Sequence, residues 1–146
     1  MPISIRMTGA QEMVRALQGY PPHLEIRTIE RLSQVTYDEA FRGAGRHNRS
    51  GALLQSLYNR AVAKGRAVGH DRQRAPHALY VNMGSMPHII RPKHRKALRW
   101  AHGGRFRFAK LVRHPGYRGD GYVFLAADAA VRQFASIVDA VSREFR

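Results

Sequence analysis

The sequence predicts an α+β fold: an antiparallel sheet of about four strands packed against two long helices, with a long basic arm between strands. Three observations lead there. Apolar residues recur at helical spacing over residues 21–43 and 125–145, a two-residue alternation marks residues 79–83 and 105–111, and the segment between those alternations is too polar for a core. At 146 residues the chain is long enough for one domain and too short to expect two. A single domain over residues 1–146 is therefore expected, with an extended arm at about residues 85–104.

Ile3, Ile5 and Met7 alternate with Ser4 and Arg6, which reads as a short strand ending where Thr8 can cap a helix. Thr8 and Gln11 form a capping-box pattern, and Met13, Val14 and Leu17 give that helix one apolar face before Gly19 stops it. Pro21 and Pro22 suit the first turn of a second helix, in which Leu24, Ile29, Leu32, Val35, Thr36 and Ala40 line one face until Gly43. After a basic loop, Ser50 can cap a short helix carrying Leu53, Leu54 and Leu57. Lys64-Gly65 then lies between residues 58–63 and 66–69 as the turn of a hairpin.

Leu79, Val81 and Met83 alternate with Tyr80 and Asn82, the pattern of a strand that stops at Gly84. Beyond it Lys96, Ala97, Leu98, Arg99 and Trp100 form a helical patch in an arm that ends at Gly103-Gly104. Phe106, Phe108 and Leu111 predict a returning strand that finishes at His114-Pro115-Gly116. The last helix is expected over residues 125–145, with Ala130, Phe134, Ile137, Val138, Val141 and Phe145 on one face.

The charge is the unusual feature of the composition. Lysine and arginine total 25 against 10 acids, a net charge of +15, and Asp71 is the one acid between Arg42 and Arg118. Such a field attracts nucleic acid, an acidic protein face or anionic lipid, and by itself does not choose among them. Without cysteine there is no disulfide framework, no Cys-based zinc site and no thiol nucleophile. The start, MPISIRMTGA, lacks the apolar core of a signal peptide, and the longest apolar run, residues 122–127, is far too short to cross a bilayer. A soluble protein made in the cytoplasm, with no membrane contact, is the expectation.

Histidines at 88, 94, 102 and 114 invite a metal reading, but no HExxH or H-x3-H spacing occurs and no carboxylate lies between Asp71 and Asp120. The Gly43-Ala44-Gly45-Arg46 stretch lacks the spacing of a phosphate-binding loop and reads as a hinge. A small nuclease would need carboxylates for a metal or a base poised at the scissile phosphate; His47, His70 and His94 are candidates for the base, yet no pairing is visible in the sequence. Ser50 and Ser56 lack the context of a nucleophile elbow. No catalytic residue, cofactor or metal is expected.

The binding expectation rests on Arg91, Lys93, Arg95, Lys96 and Arg99 in the arm, and on Arg105, Arg107, Lys110 and Arg113 in the returning strand. Alternation places Arg105 and Arg107 on one face and Phe106 and Phe108 on the other, so a charged face is expected to be backed by a packed one. DNA phosphates or an acidic partner suit such a cluster, whereas a solvated basic face is the simpler reading of each residue alone. Tyr80 is expected in the core, and Trp100 and Tyr117 in the core or at an interface.

The order of short motifs resembles the tail-component family of long-tailed bacteriophages, which includes tail-completion and neck proteins. SGALLQS at residues 50–56 is similar to that family's T-G-x-L-x-x-S, and YVNMGS at residues 80–85 is similar to a strand motif usually ending in glutamate, an aromatic residue, glycine and threonine. Pro87-His88, Ile90, Pro92-Lys93, Lys96-Ala97-Leu98 and His114-Pro115-Gly116 follow in the family's order, with Asn82 standing where the glutamate is usual. The resemblance covers most of the chain. It implies a non-enzymatic virion subunit that assembles as a homo-oligomer, a ring of about six at the head-tail junction, beside other phage neck and tail proteins and in reach of packaged DNA. On the residues alone, a nonspecific nucleic-acid-binding protein is the alternative, and a small nuclease the third reading.

Overall fold

The structure is a computed structural model that describes Arg15 and residues 19–47, 49–63 and 65–145. The expected strand over residues 3–7 and the Thr8-capped helix lie outside the described residues, apart from Arg15, which is helical. What is described is α+β, with helices forming one body and three antiparallel two-stranded ribbons.

Helix α1, Pro22–Gly45, is the spine. Proline in its first turn costs no hydrogen bond, because the first N–H groups of a helix have no intrahelical acceptor. The helix runs two residues beyond the expected stop at Gly43, since Ala40, Gly43 and Ala44 are buried against the later helix α4, Tyr122–Arg132. A methyl group on Gly43 would stand 2.6 Å from Tyr122 Cβ, so only a residue without a side chain allows this approach. Tyr122 is itself fully buried, in a cluster with Ala44, Leu53, Ala75, Ala78 and Val123.

The expected single C-terminal helix is two helices, α4 and α5, Phe134–Glu144, parted at Gln133, whose backbone lies at φ −93°, ψ 1°. Apolar residues keep helical spacing across the break, so no phase slip in the sequence betrays it. The predicted face is otherwise the observed one: Ala130 and Val141 are buried and Phe134, Ile137 and Val138 partly so, while Phe145 is half exposed against His23. Arg27 and Arg31 on α1 bind Glu144 on α5 at 3.2 and 2.9 Å, exposed pairs that solvent screens.

Between α1 and α4 the chain forms α2, Ala52–Ser56, whose N-cap is Gly51 rather than the expected Ser50. Leu57, expected in that helix, instead opens β1, Leu57–Val62, which pairs with β2, Gly65–His70, in the expected hairpin. Residues expected as a strand form α3, Ala78–Met83. The alternation of Leu79, Val81 and Met83 misleads because Met83 points to solvent, while Ala75, Ala78, Leu79 and Asn82, at helical spacing, face inward to different degrees. Tyr80 is likewise exposed rather than core.

That reassignment also removes the four-stranded sheet. The later strands are β3, His88–Ile90, β4, Leu98–His102, β5, Arg105–Ala109, and β6, Val112–His114. With residues 78–83 helical, no central strand among the described residues joins the hairpins, and β1–β2, β3–β6 and β4–β5 are separate ribbons.

Candidate functional site

The arm begins at a tight crossing of two chain segments. A methyl group on Gly84 would lie 2.6 Å from Gly119 N, one on Gly119 would overlap the backbone of residues 82–84, and one on Gly116 would lie 2.6 Å from Ser85 O. Beside this crossing Ser85 and Tyr117 exchange both backbone hydrogen bonds, at 2.7 and 2.9 Å. The arm therefore spans residues 85–117, not 85–104, because its returning half is as much a part of it as the outgoing half.

Above the root β3 pairs with β6, stacking His88 on His114 with ring centroids 4.9 Å apart. Each ring also holds a local turn. His88 Nδ1–H donates to Met86 O at 2.8 Å, and His114 Nδ1 accepts from Gly116 N–H at 3.1 Å. Residues 91–97 then bulge from one side of the arm opposite Lys110 and Leu111 on the other. Past the bulge the chain closes into the β4–β5 hairpin, turning at Gly103 and Gly104, which lie at φ +58° and +74°. Two residues with positive φ match the twist of a two-residue hairpin loop, so residues 98–102 pair as a strand and the expected helical patch is not formed.

Arg91 follows β3, and Lys93, Arg95 and Lys96 sit in the bulge. Arg99 is on β4, Arg105 and Arg107 on β5, Lys110 between β5 and β6, and Arg113 on β6. All are exposed, and among the described residues none forms an ion pair. The fold brings them onto one projecting arm. Phe106 and Phe108, expected to pack, are 59% and 66% exposed, so the reverse of the ribbon is an open apolar face. Met86 at 82% and the half-exposed Ile89 extend the apolar surface towards the root.

The signal for this was present in the sequence but weak. Phe106 and Phe108 alternate with arginines as half-buried strands do, and nothing local distinguishes burial in the own core from burial against a partner.

The body holds two polar groups of interest. Ser56 Oγ–H donates to Leu53 O at 2.7 Å, which leaves His70 Nδ1–H to donate to Ser56 Oγ at 2.7 Å and the Tyr122 hydroxyl to donate to His70 Nε2 at 2.6 Å. Burial pushes the His70 pKa down and the Tyr122 pKa up, so this chain is uncharged at neutral pH. With both ring nitrogens engaged, His70 is spoken for structurally. His47 Nε2 lies 2.6 Å from Asp120 Oδ2, a pairing across 73 residues that sequence reading did not find. A groove of about 600 Å³ beside β1 and β2 is lined in part by Tyr58, Arg60, His70, Asp71, Arg72 and Arg74, with the Arg60 guanidinium stacked 4.5 Å over the Tyr58 ring.

Asn82 has a role that its place in the YVNMGS stretch did not announce. Its Oδ1 accepts from Val123 N–H at 2.9 Å, capping α4 from across the fold. Among the described residues, no group of three histidines or carboxylates is placed to hold a metal ion, and no helix is long and apolar enough to cross a membrane. No protein-family model, curated protein or solved structure matches the chain.

Proposed function

We propose that this chain is a non-enzymatic structural subunit that assembles with copies of itself through its arm. More particularly, it is a tail-completion or neck subunit, a head-tail connector component of a long-tailed phage particle, closing into a ring at the head-tail junction beside other neck and tail proteins. The observation that carries this is the arm itself: an anchored β-projection whose apolar residues, Phe106, Phe108, Met86 and Ile89, are open to solvent in the single chain. A projection that fits a different surface of the next copy makes a heterologous contact, and such contacts close into rings when the rotation permits. The order of motifs that resembles the tail-component family supports the placement in a virion, with the departure that the stretch matching that family's strand motif is helical here over Ala78–Met83.

Light scattering and electron microscopy of the purified protein, alone and with candidate neck proteins, test the reading. Closed rings are the expected result; a persistent monomer that joins neither itself nor those partners overturns it. Nonspecific nucleic-acid binding is the second reading, favoured by the arm's exposed cations, which form no ion pair among the described residues.

A further inference from the structure

We propose that the β4–β5 ribbon has two working faces, and that the face bearing Trp100, His102, Arg105 and Arg107 binds the phosphate backbone of duplex DNA, leaving the Phe106 and Phe108 face for the neighbouring copy. The assignment of the second face rests on the assembly reading above. The first does not.

The argument starts from register. Directly opposed residues of an antiparallel pair share a face, and successive residues alternate. Trp100 opposes Arg107 and His102 opposes Arg105, so these four lie together. Arg99 opposes Phe108 and Ala101 opposes Phe106 on the other side, where the Arg99 guanidinium lies 4.1 Å over the Phe106 ring. Arg99 is thereby drawn onto the aromatic face and covers part of it, whereas Arg105 and Arg107 keep all their donors for a partner.

A polyanion fits this face better than an acidic protein patch. No acid occurs from residue 72 to residue 119, so nothing in the arm neutralises it. Side chains two apart on a strand are spaced by about 6.8 Å, twice the roughly 3.4 Å axial spacing of phosphates along one DNA strand. Lys110 and Arg113 on the return and Lys93, Arg95 and Lys96 in the bulge belong to the same arm, so positive charge is spread along the arm beyond the ribbon. Arginines with no fixed acceptor beside them are suited to phosphates, and contacts to phosphates carry no sequence information, so this binding is independent of sequence.

The test is fluorescence anisotropy of a labelled DNA duplex between low and moderate salt, at protein concentrations below the onset of self-association. The magnitude of the slope of log K against log salt should fall by about 1.8 in R105Q/R107Q, at about 0.9 per lost phosphate contact. R72Q/R74Q, which removes the same charge from the groove on the body, should leave the slope unchanged. F106S/F108S should keep the slope and lose self-association in light scattering. A wild-type slope in R105Q/R107Q, an equal loss in R72Q/R74Q, or loss of the slope in F106S/F108S overturns the proposal. A wild-type protein that binds DNA through Arg105 and Arg107 yet never associates with itself refutes the assembly reading and leaves the DNA-binding face standing.

Discussion

Gly84 and Gly119 cross backbone against backbone, with room for a side chain on neither, and this crossing sets where the arm leaves the body. Gly84 lies at φ +87°, so an alanine there meets both a disfavoured backbone region and, at 2.6 Å, the amide nitrogen of Gly119. The contact and the conformation act together.

Gly84→Ala and Gly119→Ala are each expected to destabilise the protein by about 1–3 kcal/mol, the usual cost of forcing extra volume into a closed contact. Thermal unfolding should register this at about 2–4 °C per kcal/mol. Hydrogen exchange localises the effect: the Ser85 and Tyr117 amides, bonded to each other's carbonyls beside the crossing, should exchange faster. Unaltered exchange at both amides counts against the crossing as the arm's anchor.

Asn82→Ala should cost about 1 kcal/mol in chemical denaturation, because Val123 N–H loses the acceptor that Asn82 Oδ1 supplies. Asn82→Asp should keep full stability or gain slightly, since a carboxylate retains the acceptor and sits at the positive end of α4. Equal losses in the two variants would remove the capping account.

His70 makes stability depend on pH. Its folded pKa is lowered from 6.5 by burial, so below that value the unfolded chain binds the proton more readily than the folded one. This contribution is fully present above pH 6.5 and is lost as pH falls from there through the lowered folded pKa. Unfolding free energies measured across that window should show the fall in the wild type and a shallower one in His70→Gln. Tyr122→Phe should cost about 1–3 kcal/mol at neutral pH, by leaving His70 Nε2 buried without its donor.

Excision of the arm has boundaries that its geometry dictates. Ser85 and Tyr117 are bridged, so replacing residues 86–116 by a two-residue turn should leave a cooperatively folding body that no longer assembles. Removing residues 86–101 alone would instead strand β5 and β6 without β4 and β3. Calorimetry and light scattering on the shorter chain separate the outcomes, and a molten product would mean that the arm belongs to the core.

Much of this was legible in the sequence wherever a pattern ran long. The α1 helix, the β1–β2 hairpin, the α+β class and the basic cluster from Arg91 to Arg113 could all be read from spacing and charge, though on α1 the expected stripe included only Ala40 of the buried Thr28, Ser33, Ala40, Gly43 and Ala44. Residues 78–83 could not. Over six residues neither a two-residue alternation (Leu79, Val81, Met83) nor a helical stripe (Ala78, Leu79, Asn82) runs long enough to declare itself, and the choice fell to which of them could be buried beside Ala75 and Tyr122. The break at Gln133 left no trace either, since the spacing of apolar residues runs through it.

The candidate site divides in the same way. Sequence alone determined that the arm is basic, free of acids and alternating with phenylalanines, since these are properties of residue identity. Only the tertiary structure decided that Phe106 and Phe108 face solvent, that the arm includes its returning half, and that Arg105 shares a face with His102 while Arg99 lies over Phe106. The reason is that a strand's period says which residues lie together, whereas its pairing partner and the distance to the core say what each face meets.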